Sequence, residues 1–307
     1  MSDITTNAVT NTALNQPLSA RNHKKASARL QTPTSPRHGV SAFFAYAVLI
    51  LVFICFIVPM LWLFLAAFDK NASFQTKIPK QWTLGNFSTI LNTQTTFRPM
   101  WNSAILAFVA TFIVITFAVL AAYPLSRYQS RFNKPFLYTV LFGTCLPMTC
   151  LMVPVYSLFV TFHLIDSIIG TILFLAASSL PMAIWMTKNY MDSVPMSLEE
   201  AAWVDGASMM QTLGKIVVPL MKPGLAAVSI FVLMGTWGNF FVPYMILISP
   251  SKQPASVSIY SFFGQNGLIA YGQLAAFSLL YSAPVVLLYA LSNHVLGTYS
   301  LAGGIKG

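Results

Sequence analysis

The chain has 307 residues, of which 56% are hydrophobic and only 8% charged, with a formal net charge of +10. That composition, with a mean hydropathy of +0.68, excludes a soluble globular domain and points to a polytopic membrane protein. The basic residues are scattered over short segments without interleaved aromatics, which argues against a nucleic-acid groove and for charge that sets membrane orientation.

Residues 1–39 are rich in Ser, Thr, Asn and Ala, with one acid (Asp3) and five bases. They lack a sustained apolar period and cannot bury a core, so a disordered basic cytoplasmic tail is expected. A cleaved signal peptide is disfavoured, because the apolar stretch that follows runs far beyond an h-region. The rest, 40–307, reads as one transmembrane domain. A spanning helix needs about 20 apolar residues, and six runs qualify: 41–68, 100–124, 136–160, 168–187, 224–248 and 274–296. An all-α bundle of six spans follows.

Between the first two runs, residues 78–91 (IPKQWTLGNFSTIL) mix Pro, Gly and aromatics and are expected to pack as short helices at the outer surface. Proline interrupts most runs, as neighbouring helices in a membrane permit; Pro147 and Pro154 would let the third span bend. Cys55, Cys145 and Cys150 all lie in apolar runs and are expected to behave as small buried hydrophobes. With the N-terminus inside, Arg21, Lys24, Lys25, Arg29, Arg37, Arg127, Arg131, Lys134, Lys188, Lys215, Lys222 and Lys306 fall on the cytoplasmic side. These are twelve of the 17 bases, so the positive-inside rule favours both termini in the cytoplasm.

One stretch, 195–223, is polar and helical where all else is bilayer-like. Ser197 and Glu200 have the form of a capping box that would start a helix at Ser197, just after Pro195. That helix would run to about Gly206, a residue suited to a turn. From Ser208 a second helix would present Met209, Leu213, Ile216 and Val217 on one face until Pro219 and Pro223 end it. Small alanines beside a glutamate at the membrane surface suit docking into a protein groove. An ordinary interfacial amphipathic helix has the same local pattern.

The spacing of Glu200, Ala201, Ala202, Gly206, Ile216 and Pro219 resembles the EAA coupling loop of ABC importer permeases. Further stretches, WTLGNF (82–87), NSAILAF (102–108), AAYPLSR (121–127), WGNFFVP (237–243) and SLAGGIKG (300–307), make the chain similar to the maltose-type carbohydrate permeases, in particular the shorter partner of the permease heterodimer. Val218 departs from the family's Leu, an apolar exchange. The resemblance implies the type I importer fold in a bacterial cytoplasmic (inner) membrane and half of a sugar's translocation path. It implies three partners: a second permease subunit, a cytosolic ABC ATPase dimer and an extracytoplasmic sugar-binding protein. The loop of about 195–223 would dock on the ATPase through Glu200, Ala201, Ala202, Asp205, Gly206, Ile216 and Pro219, and the tail 297–307 would reach it through Gly304 and Lys306. The loop 249–273, with Phe262, Phe263 and Tyr271, would face the binding protein.

In the fifth run, Trp237, Asn239, Phe240 and Phe241 set stackable rings beside an amide, a combination that suits the apolar face and hydroxyls of a sugar. Packing or interfacial anchoring accounts for the same residues. The sequence lacks a Gly-x4-Gly-Lys-Ser/Thr phosphate loop, so no cofactor is expected and ATP would be bound by the partner. His23, His38, His163 and His294 lack metal-ligand spacing and no nucleophile motif occurs, so an enzyme is not expected. Asp166 falls at an external turn, which leaves no carboxylate deep in the bilayer for a proton relay. A secondary transporter or channel, or a membrane assembly protein, would leave 195–223 without a purpose. Another cargo, such as glycerol phosphate, polyamine or phosphate, is the nearer alternative; the neutral aromatics lean toward carbohydrate.

Overall fold

The computed structural model describes residues 38–128, 130–264 and 269–303. They are helical almost throughout, in an order set by the apolar runs: α1 (His38–Ala67), α2 (Gly85–Ile90), α3 (Arg98–Arg127), α4 (Asn133–Gly143), α5 (Met148–Thr161), α6 (Ile168–Asp192), α7 (Met196–Val204), α8 (Met209–Thr212), α9 (Lys222–Trp237), α10 (Phe241–Ile246), α11 (Ala255–Ser258) and α12 (Tyr271–Gly303). A boundary between two compact units falls inside α1, after Ile57. Residues 43–57 are apolar all round the helix; the clusters described below belong to residues 58–303.

Four helical stretches, Phe43–Ala67, Thr93–Arg127, Ile168–Asp192 and Tyr271–Ser292, are long and apolar enough to cross a membrane unaided, and the number rises to six if each of two bent pairs forms one span. The chain is therefore a multi-pass membrane protein. One bent pair is α4 with α5, which meet at 89°. The third apolar run is thus two helices of 11 and 14 residues, bent sharply where they join. The break lies at Pro147, whose ψ of 130° leaves the helical region at the residue before α5; Pro154 sits within α5 and does not divide it. The fifth run is corrected. Helix α9 ends at Trp237, about 24 Å from its start, short of the roughly 30 Å hydrocarbon core. Just past that end, Asn239 accepts the Val242 amide on Oδ1 at 3.1 Å, within the first turn of α10.

The main core lies where α3, α5, α6, α9 and α10 meet. Leu106, Ala110, Val114 and Ala118 recur every four residues along one side of α3, against Ile172, Leu175, Ala176 and Ala183 of α6 and Val228 and Val232 of α9. The alanines let α3 and α6 approach closely, the usual means of helix association in lipid. At Gly224 in the first turn of α9, a Cβ would fall 2.4 Å from Cγ of Tyr190, so only glycine admits α9 against the end of α6. Large apolar side chains such as Phe108, Phe112, Phe117 and Leu173 are exposed on the outer faces of the spans. Cys55, Cys145 and Cys150 are exposed as well, and are not the buried residues the sequence suggested.

At the end of the bundle remote from α7, polar side chains pin the loops. Asn86 donates to the carbonyls of Ala67 and Asp69, each at 3.0 Å. Asn102 donates to those of Ser251 (3.0 Å) and Gln253 (3.1 Å), and the Ser103 hydroxyl accepts the Ala255 amide at 2.9 Å. Asp166, in a turn with positive φ (58°), accepts Lys252 Nζ at 2.7 Å, Ser249 Oγ at 2.7 Å and the Ser249 amide at 2.9 Å. The Lys252 hydrogen bond, helped by both Ser249 donors, holds the Asp166 carboxyl well below the usual carboxylate range. A carboxyl depressed in this way contributes its stability above its unfolded value of about 4 and loses it only as the pH falls further. The clamp is accordingly expected to hold unchanged from neutral pH to about pH 4. Asp166→Asn is expected to loosen it at every pH, read as faster amide exchange at Ser249 with no change in the exchange of α3.

Candidate functional site

The polar segment 195–223 folds as α7, a reversal, and α8. Helix α7 starts at Met196 with Pro195 as its N-cap and no side-chain cap bond. This corrects the expected capping box: Ser197 lies inside the first turn, and neither Ser197 nor Glu200 caps it. The capping box occurs one helix later, where Ser208 Oγ accepts the Gln211 amide and Gln211 Oε1 accepts the Ser208 amide at 2.9 Å.

Gly206 ends α7. Its φ of +86° is left-handed, its amide donates to Trp203 O at 3.0 Å, and the Ala207 amide donates to Ala202 O at 2.9 Å. These are the two bonds of a Schellman termination, which favours glycine at this position. Beyond α8 the helix widens through Leu213–Val217 and runs on to Leu220, then turns by 81° into α9 at Met221. Prolines 219 and 223 flank that turn.

Glu199, which the sequence reading passed over, decides the orientation of the whole segment. Its side chain is fully buried against Arg127 at the end of α3: Arg127 Nη2 lies 2.6 Å and Nε 2.7 Å from Oε1, while the Tyr123 hydroxyl donates to Oε2 at 2.8 Å. Arg127 Nη2 also donates to Val194 O at 3.2 Å. Ser126 Oγ donates to Asp192, which pairs in turn with Lys188. Beneath lies an apolar floor of Val119, Ala122, Met191, Val194, Leu213, Val217 and Met221. Both the ion pair and the floor tie α7 and α8 to α3 and α6. One signal was available in the sequence: Glu199 and Ala202 share a helix face at i, i+3, so if Ala202 packs inward, Glu199 does too and needs a cation.

The opposite face is presented. Glu200, Ala201, Trp203, Val204, Asp205 and Gly206 are exposed, Val204 at 88%, with Met209 and Met210 beside them. Of the remaining expected contacts, Ala202 is buried, Ile216 half-buried and Pro219 exposed. Gly304 and Lys306 lie outside the described residues.

Near the α9–α10 break, Trp237 is 6% exposed and stacks on Tyr281 at 5.8 Å, with Tyr281 OH donating to Trp237 O at 2.8 Å. Asn239 is engaged by the Val242 amide. Phe240 and Phe241 are half-buried. Phe240 heads a stack the sequence did not indicate: its ring centroid lies 4.9 Å from Tyr244 and 5.2 Å from Tyr260, and Tyr260 lies 5.8 Å from Phe263. Tyr244, Tyr260 and Phe263 are each about half exposed, so one side of the stack is open.

Residues 114–297 match the family model described as the binding-protein-dependent transport system inner membrane component. The chain belongs to this family. Its match spans α3 to α12 and contains the whole α7–α8 segment with its anchor. Among curated relatives, the inner membrane ABC transporter permease protein YcjP of Escherichia coli (strain K12) is 30% identical over 268 residues, 84% of this chain and 93% of that one. The maltodextrin transport system permease protein MdxG of Bacillus subtilis (strain 168) is 28% identical, over 85% of this chain and 95% of its own. The diacetylchitobiose uptake system permease protein NgcG of Streptomyces coelicolor is 27% identical, over 81% and 84%. In three dimensions the chain resembles one from a crystal structure of a bacterial ABC transporter involved in the import of the acidic polysaccharide alginate, with a TM-score of 0.74 and 21% identity over 86% of this chain and 99% of that one. The fold is the type I ABC importer permease fold, and the protein is a transport component, not an enzyme.

As a binding-protein-dependent transport component, the chain uses its sequence motifs structurally. Asn86 of WTLGNF and Asn102 and Ser103 of NSAILAF staple the loops remote from α7. Tyr123, Ser126 and Arg127 of AAYPLSR anchor α7.

Proposed function

We propose that this chain is one permease subunit of a heterodimeric carbohydrate importer of the bacterial cytoplasmic membrane, and that α7 and α8 join it to a cytosolic ATPase dimer. The single observation that carries this reading is the rigidly backed, outward face of α7: acidic and apolar groups are presented while a buried ion pair fixes the helix behind them. Glu200, Ala201, Asp205 and Gly206 make the docking contacts, with Ala202, Ile216 and Pro219 shaping the segment and Gly304 and Lys306 adding a contact from the C-terminal tail. Charge supports the orientation, since Arg131, Lys134, Lys188, Lys215 and Lys222 gather at the α7 end of the bundle, the pattern of a cytoplasmic side. ATP is bound by the partner, because this sequence lacks a phosphate loop.

A carbohydrate cargo is supported by the relatives named for maltodextrin and diacetylchitobiose and by the open aromatic stack beside Asn239 and Phe241. Rings of this kind stack on the apolar face of a sugar. The soluble binding protein delivers the sugar to the loop 249–273. The test is uptake of radiolabelled maltotriose, N,N′-diacetylchitobiose and glucose by cells expressing the complete transporter. At least one sugar is expected to enter only when this chain is present, and Tyr260→Ala with Phe240→Ala is expected to cut its uptake about tenfold. Uptake of glycerol phosphate or a polyamine in place of every sugar would overturn the carbohydrate reading and leave the α7 joint standing.

A further inference from the structure

A cavity of about 440 Å³ opens between the turn from α3 to α4 and the end of α6, lined by Ser126, Tyr128, Arg131, Lys134, Leu137 and Lys188 among others. Three of these side chains are cationic. Lys188 is paired with Asp192, but neither Arg131 nor Lys134 takes part in an ion pair among the described residues. The cavity thus holds a net excess of two positive charges, in a concave site between membrane helices.

Its rim differs from an ordinary solvated basic patch. Tyr128 lines it and is more than half exposed, as are Phe132, Phe136 and Tyr138 on the same turn and the start of α4, and the Arg131 guanidinium lies 5.0 Å over the Phe132 ring. Exposed aromatics interleaved with cations at the end of an apolar helix mark the headgroup level of a bilayer. From the cavity, α4 continues as FLYTVLFG, a surface on which acyl chains can lie.

We propose that this pocket binds the phosphate of an anionic phospholipid headgroup. Arg131 offers a planar fork to two phosphate oxygens and Lys134 a point charge, while Leu137 and the flanking rings take the glycerol and the upper acyl carbons. The site is coupled to the segment described above. Lys188 binds Asp192, Asp192 accepts from Ser126, and Ser126 touches Arg127, the partner of Glu199. A phosphate that draws Lys188 away from Asp192 alters the support of α7. The inference does not depend on the cargo.

The test uses the full chain co-purified with its partner subunits in a neutral detergent, with lipid retention measured by native mass spectrometry. Dioleoylphosphatidylglycerol is expected to be retained about tenfold better than dioleoylphosphatidylcholine, and R131Q/K134Q to abolish that preference, since loss of two surface cations weakens anionic-lipid binding by up to about thirtyfold. Both residues are exposed, so folding is not at stake, and Lys80→Gln, which removes a cation at the far end of the bundle, is expected to change nothing. Equal retention of the two lipids, or undiminished phosphatidylglycerol retention by R131Q/K134Q, would overturn the proposal. So would retention of inorganic phosphate together with no preference for phosphatidylglycerol over phosphatidylcholine, since the pocket would then be a site for free phosphate.

Discussion

Arg127→Gln is expected to destabilise the protein by about 3 kcal/mol or more, because it leaves the Glu199 carboxylate buried with only the Tyr123 hydroxyl as a strong donor. Removing one member of a buried ion pair has a far larger effect than the pair's net contribution, since the remaining charge keeps its desolvation penalty. Glu199 has no exposed surface and Arg127 only 7%, which puts the pair in that regime. The double variant Arg127→Gln/Glu199→Gln is expected to recover more than half of the loss, because two neutral amides can satisfy each other and the Tyr123 hydroxyl. The measurement is thermal unfolding of the purified chain for both singles and the double. Strictly additive effects would show that the two side chains do not act as a unit, and the anchor assigned to them would have to be abandoned. A functional readout accompanies the thermal one. In Arg127→Gln the ATPase subunit is expected to co-purify poorly although the exposed face of α7 is chemically intact, since the helix is no longer held at a fixed angle.

Charge reversal on the presented face is expected to act in the opposite way. Glu200→Lys should leave insertion and thermal stability unchanged, since Glu200 is exposed and appears in none of the ion pairs among the described residues. Association with the ATPase should fall at least tenfold, because a charge-assisted hydrogen bond of about 1.5–3 kcal/mol is removed and a repulsion put in its place. Gly206→Val tests the shape of the same face. A Cβ at Gly206 meets no atom within 4 Å, so any defect comes from the left-handed backbone, which costs a β-branched residue about 1–2 kcal/mol or more. Gly206→Asn, whose side chain tolerates that conformation, is expected to retain most ATPase binding. Should Gly206→Asn fail as badly as Gly206→Val while Glu200→Lys binds normally, close backbone approach at the glycine, and not the charge at Glu200, would make the contact.

The apolar runs were readable because a bilayer imposes length and composition on each span separately, whatever the neighbours do. Breaks were readable as possibilities for the same reason. Pro147 lacks an amide hydrogen wherever it sits, yet the sequence alone did not distinguish its 89° corner from the continuous helix through Pro154. That choice depends on how the other helices pack against the turn. The cysteines show the converse error. An apolar residue in a membrane helix has two apolar environments open to it, protein and lipid, so hydropathy cannot say which side it faces.

The tertiary structure alone decided between the two adjacent glutamates. Both have the same chemistry and the same local sequence, and a capping box was the only local bond on offer. Arg127 stands 72 residues away, and packing of α3 against α6 brings it under Glu199, so one carboxylate becomes an anchor and its neighbour a contact. The sequence by itself determined the apolar runs, the polar segment between them and the glycine that ends α7, since these follow from forces acting within a few residues. Which face of that segment is held and which is offered was decided by contacts between helices distant in the chain, where the energy of a buried charge outweighs every local preference.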